Sequence, residues 1–429
     1  MNETVYDIAI VGAGAAGLMA ALPLAAYSRE HFEEQPPVSV ALIERNGEAG
    51  RKLAKTGNHR CNFTNMRAAS GAYDTDDEET LRAVLNRITP DEVREIFAQY
   101  GIPSKEEGGG RVYPDGTDAE GVAELLELGI ESEDVERICH FAVQTVERIR
   151  PDGGALPGEM RNGDETEAMF RLTAENGRTL LARNVILATG GKADPKSGSR
   201  GDGYRFARAF GHSVRSTHPA LVRLRHADPI LASVRGVRVK GTVELYRDGE
   251  LLESASGEIQ LNPGLLSGIC VMDVSHNVFH TDSHSFDCVL TFDGTGPDGV
   301  PKQAIPERLR TAFAEALGED SAAEYLEQEK PYTVAVTGTQ GWKEAQVTAG
   351  GVSLSEVDPL TLESKLVPGL FFAGEILDVT GPCGGYNLHW AWTSGFLAGM
   401  SAMKRVIGER NVLELQLRGE DELAEEALL

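Results

Sequence analysis

Residues 5–17, VYDIAIVGAGAAG, constrain the fold more than any other stretch of the chain. The largely apolar, β-branched run 5–11 suits a short buried strand. Gly12, Gly14 and Gly17 follow at GxGxxG spacing, and LMAALPLAAY then reads as a helix. Gly12 allows the tight turn, Gly14 lets backbone N–H groups approach a pyrophosphate, and Gly17 lets helix and strand pack closely. An anion held there lies at the positive end of the helix. A polar loop at 28–37 precedes a second strand, VSVALI at 38–43, which ends in Glu44-Arg45. Glu44 lies 27 residues after Gly17, later than the usual spacing of about 20, and the polar loop accounts for the delay. A carboxylate there accepts from ribose hydroxyls, which favours an adenosine without a 2′-phosphate.

A second glycine cluster lies far from the first. GLFFAGEILDVTGPCGGYNLHWAWTSG (369–395) ends a strand in Gly374-Glu375, carries Asp378, and turns through Gly381, Gly384 and Gly385 into a helix over 387–403. Two anion-facing helix starts imply an elongated ligand. For a flavin, the second start would face the N1–C2=O edge, where a helix dipole stabilises the reduced form. Asp378 would accept from a ribityl hydroxyl. A nicotinamide dehydrogenase has no need of such a module. The one other GxGxxG spelling, GTGPDG at 294–299, runs into Pro301 rather than a helical stretch, so reduced NAD(P) would have to bind transiently, as an electron donor, or not at all.

The rest of the chain organises around these modules. The stretch 47–65 is too polar for a regular element. Helices are predicted at 78–87, 90–100 and 118–128, the second with a capping box at Thr89 and Glu92. Strands are predicted at 141–149 and 183–188, the latter halted by Thr189-Gly190-Gly191, and PDGG at 151–154 is a turn. From 204 to 342 short β-like runs alternate with turns, Asp248-Gly249 marks a hairpin, and one helix stands at 306–317. Residues 408–429 form an acidic tail that reads as a peripheral or frayed helix. The expected architecture is α/β: a Rossmann-like FAD-binding domain of glutathione-reductase type (1–203 and 343–429), interrupted by an inserted, mostly β substrate or cap domain (204–342) with a short helical part.

Charge and cysteine use bound the function. Lys+Arg 41 against Asp+Glu 66 gives a net charge of −25, a field that repels phosphate backbones and anionic lipid. Nucleic-acid and membrane partners are therefore not expected, and a small-molecule substrate is. No apolar run approaches the ~18 residues of a membrane span, and the N-terminus lacks a leader pattern. Five scattered cysteines with no CxxC pair predict reduced thiols in a cytoplasmic enzyme. His276, His280, His284 and Asp282 invite a metal reading, but intervening turn residues remove their common helix face. No metal site is expected.

Several segments resemble the BaiN-like (aminoacetone-oxidase-like) family of bacterial FAD-binding oxidoreductases. They are VGAGAAG (11–17), GRKLAKTGNHRCNFTN (50–65), GRVYPDGTDA (110–119), VILATGGKADPKSGSRGDGY (185–204), AQVTAGGVSLSEVDP (345–359) and the 369–395 segment. They stand in the family's order and span nearly the whole chain. The resemblance implies that Gly12, Gly14, Ala16 and Gly17 hold a pyrophosphate and Glu44 the adenosine ribose, with Arg45 beside it also counted as cofactor-binding. It places Arg51, Lys52, Asn58, Arg60, Cys61 and Asn62 along pyrophosphate, ribityl chain and isoalloxazine, and Val143 at the adenine. Thr189 and Gly190 touch the cofactor at the strand end, and Gly374, Glu375, Asp378, Asn387 and Leu388 close over the flavin. One loop departs from the pattern. Where the family often shows an FTxxGxSG-like loop, this chain reads QLNPGLLSGI (260–269).

The expected chemistry is hydride passage between NAD(P)H, flavin N5 and a small, enone- or steroid-like molecule. Reducing a C=C bond also needs a proton donor, and Tyr113, His389, Tyr386 and Arg111 are the candidates in the shared segments. Cys61 and Cys383 read as small packing residues rather than a redox pair. An alternative is a flavin-binding sensor without efficient turnover. A flavin-dependent RNA-modifying enzyme would need basic surface, which the acidic balance argues against.

Overall fold

In the central sheet, Val5–Val11 lies between Val40–Ile43 and Thr179–Leu187, all three parallel. Their near-continuous apolar character follows from burial on both faces. Val135–Ile138 extends the sheet beyond Val40–Ile43. On the other side, Met169–Ala174 and then Val143–Ile149 add antiparallel strands. Leu370–Phe372 pairs in parallel with the end of Thr179–Leu187. Val11 stands beside both Ile43 and Leu187. Three strands therefore release their chains at one level, where an open α/β sheet places its ligands.

This is a computed structural model describing residues 4–30, 37–131, 134–150, 169–278, 283–293 and 305–426. The turn expected at 151–154, His280 with Asp282, and most of the 28–37 loop fall outside the described residues. The described chain forms two compact units, one of residues 1–191, 197–216 and 350–429, the other of 192–196 and 217–349.

In the first unit the helix Ala15–Glu30 packs on the C-terminal helix as well as on the sheet. A Cβ added at Gly395 would stand 2.4 Å from the Ala16 carbonyl oxygen, and one at Gly399 2.2 Å from that of Ala20. Two glycines one turn apart thus let the two backbones touch. The capping box forms as expected, with Thr89 N–H donating to Glu92 Oε2 (2.6 Å) and Glu92 N–H to Thr89 Oγ1 (3.3 Å). The 47–65 stretch carries short elements that its polarity concealed: a helical turn at Leu53–Lys55, a kinked turn with left-handed residues at Thr56–His59, and the strand Thr64–Asn65. Thr64–Asn65 pairs with Arg111–Pro114, which pairs with Ser104–Glu107. The final helix runs over Tyr386–Glu426, joining the helix predicted at 387–403 to the helical tail expected from 408.

The second unit is a closed six-stranded barrel in the order Leu224–His226, Leu265–Ser267, Glu250–Asn262, Val237–Arg247, Phe286–Phe292, Tyr332–Thr339. Alternation explains it: in Val237–Arg247 the residues Val237, Val239, Val243 and Leu245 are buried, while Arg238 and Lys240 are exposed. Asp248-Gly249 makes the expected hairpin. More helix is present than the single one predicted. After Glu307–Leu317, Gly318 (φ +85°) breaks the chain and Glu319–Leu326 follows, burying Ala322 and Leu326. Shorter helices occupy Pro229–Ser233 and Ile269–Val274.

Candidate cofactor and active site

The first glycine turn shows three distinct constraints. Gly12 has φ +105°, and a Cβ there would lie 2.5 Å from the Ala188 carbonyl oxygen. A Cβ on Gly17 would lie 1.8 Å from the Gly12 carbonyl oxygen. A Cβ on Gly14 would meet nothing within 4 Å, so that position faces open space. The helix's first bond runs from Leu18 N–H to Gly14 O at 2.9 Å. The amides before it have no acceptor within the helix, which leaves them to an anion.

Glu44 sits at the mouth of this turn. Its carboxylate accepts from Ala13 N–H (3.2 Å) and from the Asn46 backbone (2.8 Å) and side-chain amide (2.7 Å). Arg45 turns elsewhere, onto Asp202 at 2.5 Å and Glu175 at 3.6 Å. Val143 is buried at the start of its strand, and Arg51 is exposed. Lys52 pairs with Glu375 at 2.7 Å, and a Cβ on Gly374 would stand 2.7 Å from the Ala16 Cβ. The two glycine modules are therefore in direct contact. Gly190 (φ +66°) borders Ser199 and Glu375, while the Thr189 side chain packs on Gly203.

The following loop is strained. Asn58 (φ +54°), His59 (+66°) and Cys61 (+55°) all adopt left-handed backbone next to Gly57 (+58°). Each non-glycine case costs of order 1 kcal/mol or more, and such residues gather at functional sites. Arg60 reaches out to Glu107 at 2.5 Å and lies 4.1 Å above the Tyr113 ring. Cys61 is fully buried, and burial pushes its thiol up to about 12, so it is no thiolate. Cys383 is not in a disulfide either.

Three sequence-distant segments then meet. Asn65 Nδ2 donates to Gly384 O at 2.8 Å, and a Cβ on Gly384 would lie 3.5 Å from the Arg111 Cγ. A Cβ on Gly385 would strike Thr64 O at 2.3 Å and Asn62 Oδ1 at 2.9 Å. Thr64 Oγ1 and His389 Nδ1 are hydrogen-bonded at 2.9 Å. Asn387 fastens the loop itself, accepting from Gly381 N–H at 2.9 Å and donating to Gly381 O at 2.7 Å. The Tyr73 hydroxyl donates to the Tyr386 carbonyl at 3.0 Å, and the two rings pack edge-on. Leu388 packs on the main core.

His389 is wholly buried, and burial lowers it to about 4. It stays neutral at ordinary pH. Asp378 is also buried, which raises it to about 6 despite Arg215 at 2.5 Å; Asp76 and Asp74 add to the rise. Arg215 was invisible to sequence reasoning, since no motif marks it. Thr64 and Asn65 lay inside a quoted segment, but only their pairing with Arg111–Pro114 gives them a role. Of the histidine group, His276 Nδ1 bonds the Asp273 carbonyl at 2.7 Å and His284 pairs with Asp248 at 2.7 Å, so the two have different partners.

The strand face that carries Arg111 also carries Tyr113 and, across the pair, Lys105. Arg60, Lys105, Tyr113, Thr117 and Asp118 line a recess of about 460 Å³ that is open to solvent.

The residues fit a flavin dinucleotide. Asn62 Oδ1 and His389 Nε2 are buried and have no hydrogen-bond partner, which costs about 1–3 kcal/mol each unless a ligand supplies one. Gly14 opens onto space, and the C-terminal helix crosses Ala16 at Gly395, nine residues from its start at Tyr386. At 1.5 Å per residue the two anion-facing ends lie about 14 Å apart along that helix, a separation an extended ligand spans.

Comparison with known proteins agrees with this geometry. Residues 6–401 match the model of the HI0933-like protein Rossmann domain. The 3-dehydro-bile acid delta(4,6)-reductase of Clostridium scindens is 32% identical, covering 93% of this chain and 99% of its own. The ribosomal RNA dihydrouridine synthase of Haemophilus influenzae is 27% identical, covering 92% and 98%. Among solved structures, the 3-ketosteroid delta1-dehydrogenase of Sterolibacterium denitrificans shares the fold at 14% identity and a TM-score of 0.53, covering 93% of this chain and 99% of that one. No helix among the described residues is long and apolar enough to cross a membrane. The paired glycine modules and the matched length make this chain a member of the HI0933-like family of FAD-binding, Rossmann-type oxidoreductases.

Proposed function

We propose that the protein is an FAD-dependent reductase of a C=C bond conjugated to a carbonyl in a small ring compound, with NADH or NADPH as a transient donor. One observation carries the reading: segments 62–65, 111–113 and 384–389 converge where Asn62 and His389 each leave a buried polar atom without a partner. Bound FAD would supply hydride transfer. The chain supplies position and protons. Gly12, Gly14, Ala16 and Gly17 hold the pyrophosphate, and Glu44 the adenosine ribose. Lys52, Glu375 and Asp378 hold the middle of the cofactor, and Asn62 and His389 meet its ring edge.

Saturating such a bond also requires a proton at the carbon next to the carbonyl. Tyr113 is the candidate that borders an open recess, with the Arg60 guanidinium 4.1 Å from its ring centroid. His389 is excluded as the acid, because burial keeps it neutral. Tyr386 is engaged with Tyr73, and Arg111 donates to Gly108 O at 3.1 Å.

The names of the relatives support this class. A delta(4,6)-reductase of a 3-dehydro-bile acid and a dihydrouridine synthase both saturate a ring C=C in conjugation with a carbonyl. The higher identity to the former, 32% against 27–28%, favours the small-molecule substrate.

The test is spectroscopic. Purified protein is expected to be yellow, to bleach anaerobically with NADH or NADPH, and to regain colour with a 4-en-3-one steroid. Protein that stays colourless after FAD is added sinks the cofactor reading. Reduced protein that no enone reoxidises sinks the substrate class; reoxidation by ribosomal RNA alone would move the substrate to uridine.

A further inference from the structure

One buried histidine of the first unit, away from the glycine modules, has both ring nitrogens engaged. His212 follows Gly211, whose left-handed backbone (φ +88°) ends the helix Asp202–Ala209. Its Nε2 lies 2.8 Å from Ser364 Oγ and its Nδ1 3.1 Å from Glu356 Oε2. Ser364 Oγ already accepts from the Leu366 and Val367 N–H groups, at 3.0 and 2.9 Å. The serine hydrogen is thereby left for Nε2. The carboxylate can only accept, so the ring proton sits on Nδ1. A second ring proton would point at an oxygen whose lone pairs are filled. Burial also lowers His212 below its ordinary value, against the pull of Glu356. The ring is therefore neutral and held in one orientation, with Phe372 packed edge-on at 4.8 Å. Glu356 Oε2 also accepts from the N–H of the next residue, Ser213, at 2.8 Å.

This clamp fixes a narrow ribbon that runs to Asp378. Ser353 N–H donates to Ser213 O at 3.0 Å, and Arg215 N–H to Gly351 O at 2.8 Å. On the ribbon's other edge, Val352 N–H donates to Ile376 O and Asp378 N–H to Val352 O, both at 2.9 Å. Segments 213–215, 351–353 and 376–378 therefore lie side by side. Arg215 stands three residues beyond His212, about 10 Å along an extended chain. Its Nη1 lies 2.5 Å from Asp378 Oδ2, and its side chain is half-exposed while Asp378 is buried. Asp76 and Asp74 are the other charges acting on this pair. Asp76 is itself tied to the ribbon, accepting from Leu354 N–H at 2.9 Å and from the Ser353 hydroxyl. A long, half-exposed side chain among three carboxylates is aimed by its backbone, and the clamp holds that backbone.

We propose that His212 is a positioning residue: with Ser364 and Glu356 it holds segment 213–215 so that Arg215 rests on Asp378 and sets its charge. Its consequence for FAD rests on the reading that Asp378 holds the cofactor; the coupling itself is measured without turnover. The experiment labels aspartate Cγ with carbon-13 in the full-length protein, with and without FAD. The Asp378 resonance, assigned by its loss in Asp378→Asn, is followed as pH is varied. Without FAD the parent midpoint is expected near pH 6. Arg215→Gln is expected to raise it by about one pH unit or more, because a contacting opposite charge is removed. His212→Phe and Glu356→Ala are each expected to raise it by about half a unit or more, by releasing that same charge. Removing the Glu356 charge would by itself lower the midpoint, so a rise reports Arg215. Glu356→Gln, which keeps an acceptor for Ser213 and His212, is expected to leave it unraised. Adding His212→Phe to Arg215→Gln is expected to raise it no further, since both act through one guanidinium. A midpoint that stays or falls in both clamp variants, or shifts that simply sum, overturns the proposal. Glu356→Ala carries the same test if His212→Phe does not fold. A parent midpoint that FAD fails to lower would sink the cofactor contact at Asp378 alone.

Discussion

Asp378→Asn tests whether the buried carboxylate is held against a cost. Asp378 is 1% exposed, and its proton affinity is raised from 3.8 to about 6, with burial the largest cause and Arg215 opposing it. At about 1.4 kcal/mol for each tenfold in affinity, the ionised form costs the folded state about 3 kcal/mol. The sign follows from the direction. A folded value above the unfolded one means the stability is present below about pH 4 and is lost as pH rises through about 6. Asn imitates the neutral acid and can still accept from Arg215. The variant should therefore be more stable than the parent at pH 8 by about 2–3 kcal/mol, or very roughly 5–10 °C, with no difference near pH 4. Thermal melts of the two apoproteins at both pH values measure it. FAD affinity should fall at least tenfold, because a charge kept at such a cost serves a ligand. A stability difference that is the same at both pH values, or a variant weaker at pH 8, would refute desolvation as the dominant effect.

Other consequences are as direct. Gly14→Val should fold with unchanged apoprotein stability yet be recovered colourless, because the added side chain enters only the open space of the anion turn; Gly17→Val, whose Cβ would lie 1.8 Å from a carbonyl oxygen, should fail to accumulate as soluble protein. Gly395→Val should separate the two touching helices, costing about 3 kcal/mol or more in urea unfolding and releasing FAD. Tyr113→Phe should slow substrate reduction about 100-fold while NAD(P)H still bleaches the flavin at the parent rate in rapid mixing. Because burial lowers His389 from 6.5 to about 4, its contribution is present above pH 6.5 and lost as pH falls toward 4. His389→Gln should flatten that acid-side loss, about 3 kcal/mol in the parent, in unfolding curves taken at pH 7 and pH 4.5.

The sequence by itself determined what depends on neighbours along the chain. The strand Val5–Val11, the GxGxxG turn after it and the Thr89/Glu92 cap are local hydrogen-bonding and steric problems, and each appears as read. The barrel's hairpin at Asp248-Gly249 belongs with them. The second insert helix was hidden because Gly318 interrupts the apolar spacing that would have announced it. Only the tertiary structure decided which distant groups share a dielectric and a partner. It set Lys52 on Glu375, brought Arg215 to Asp378, and left Asn62 and His389 each with an unpaired buried atom. It also set Arg45 on Asp202. Burial and charge proximity are properties of space, and a linear pattern specifies them only through the packing that brings its parts together.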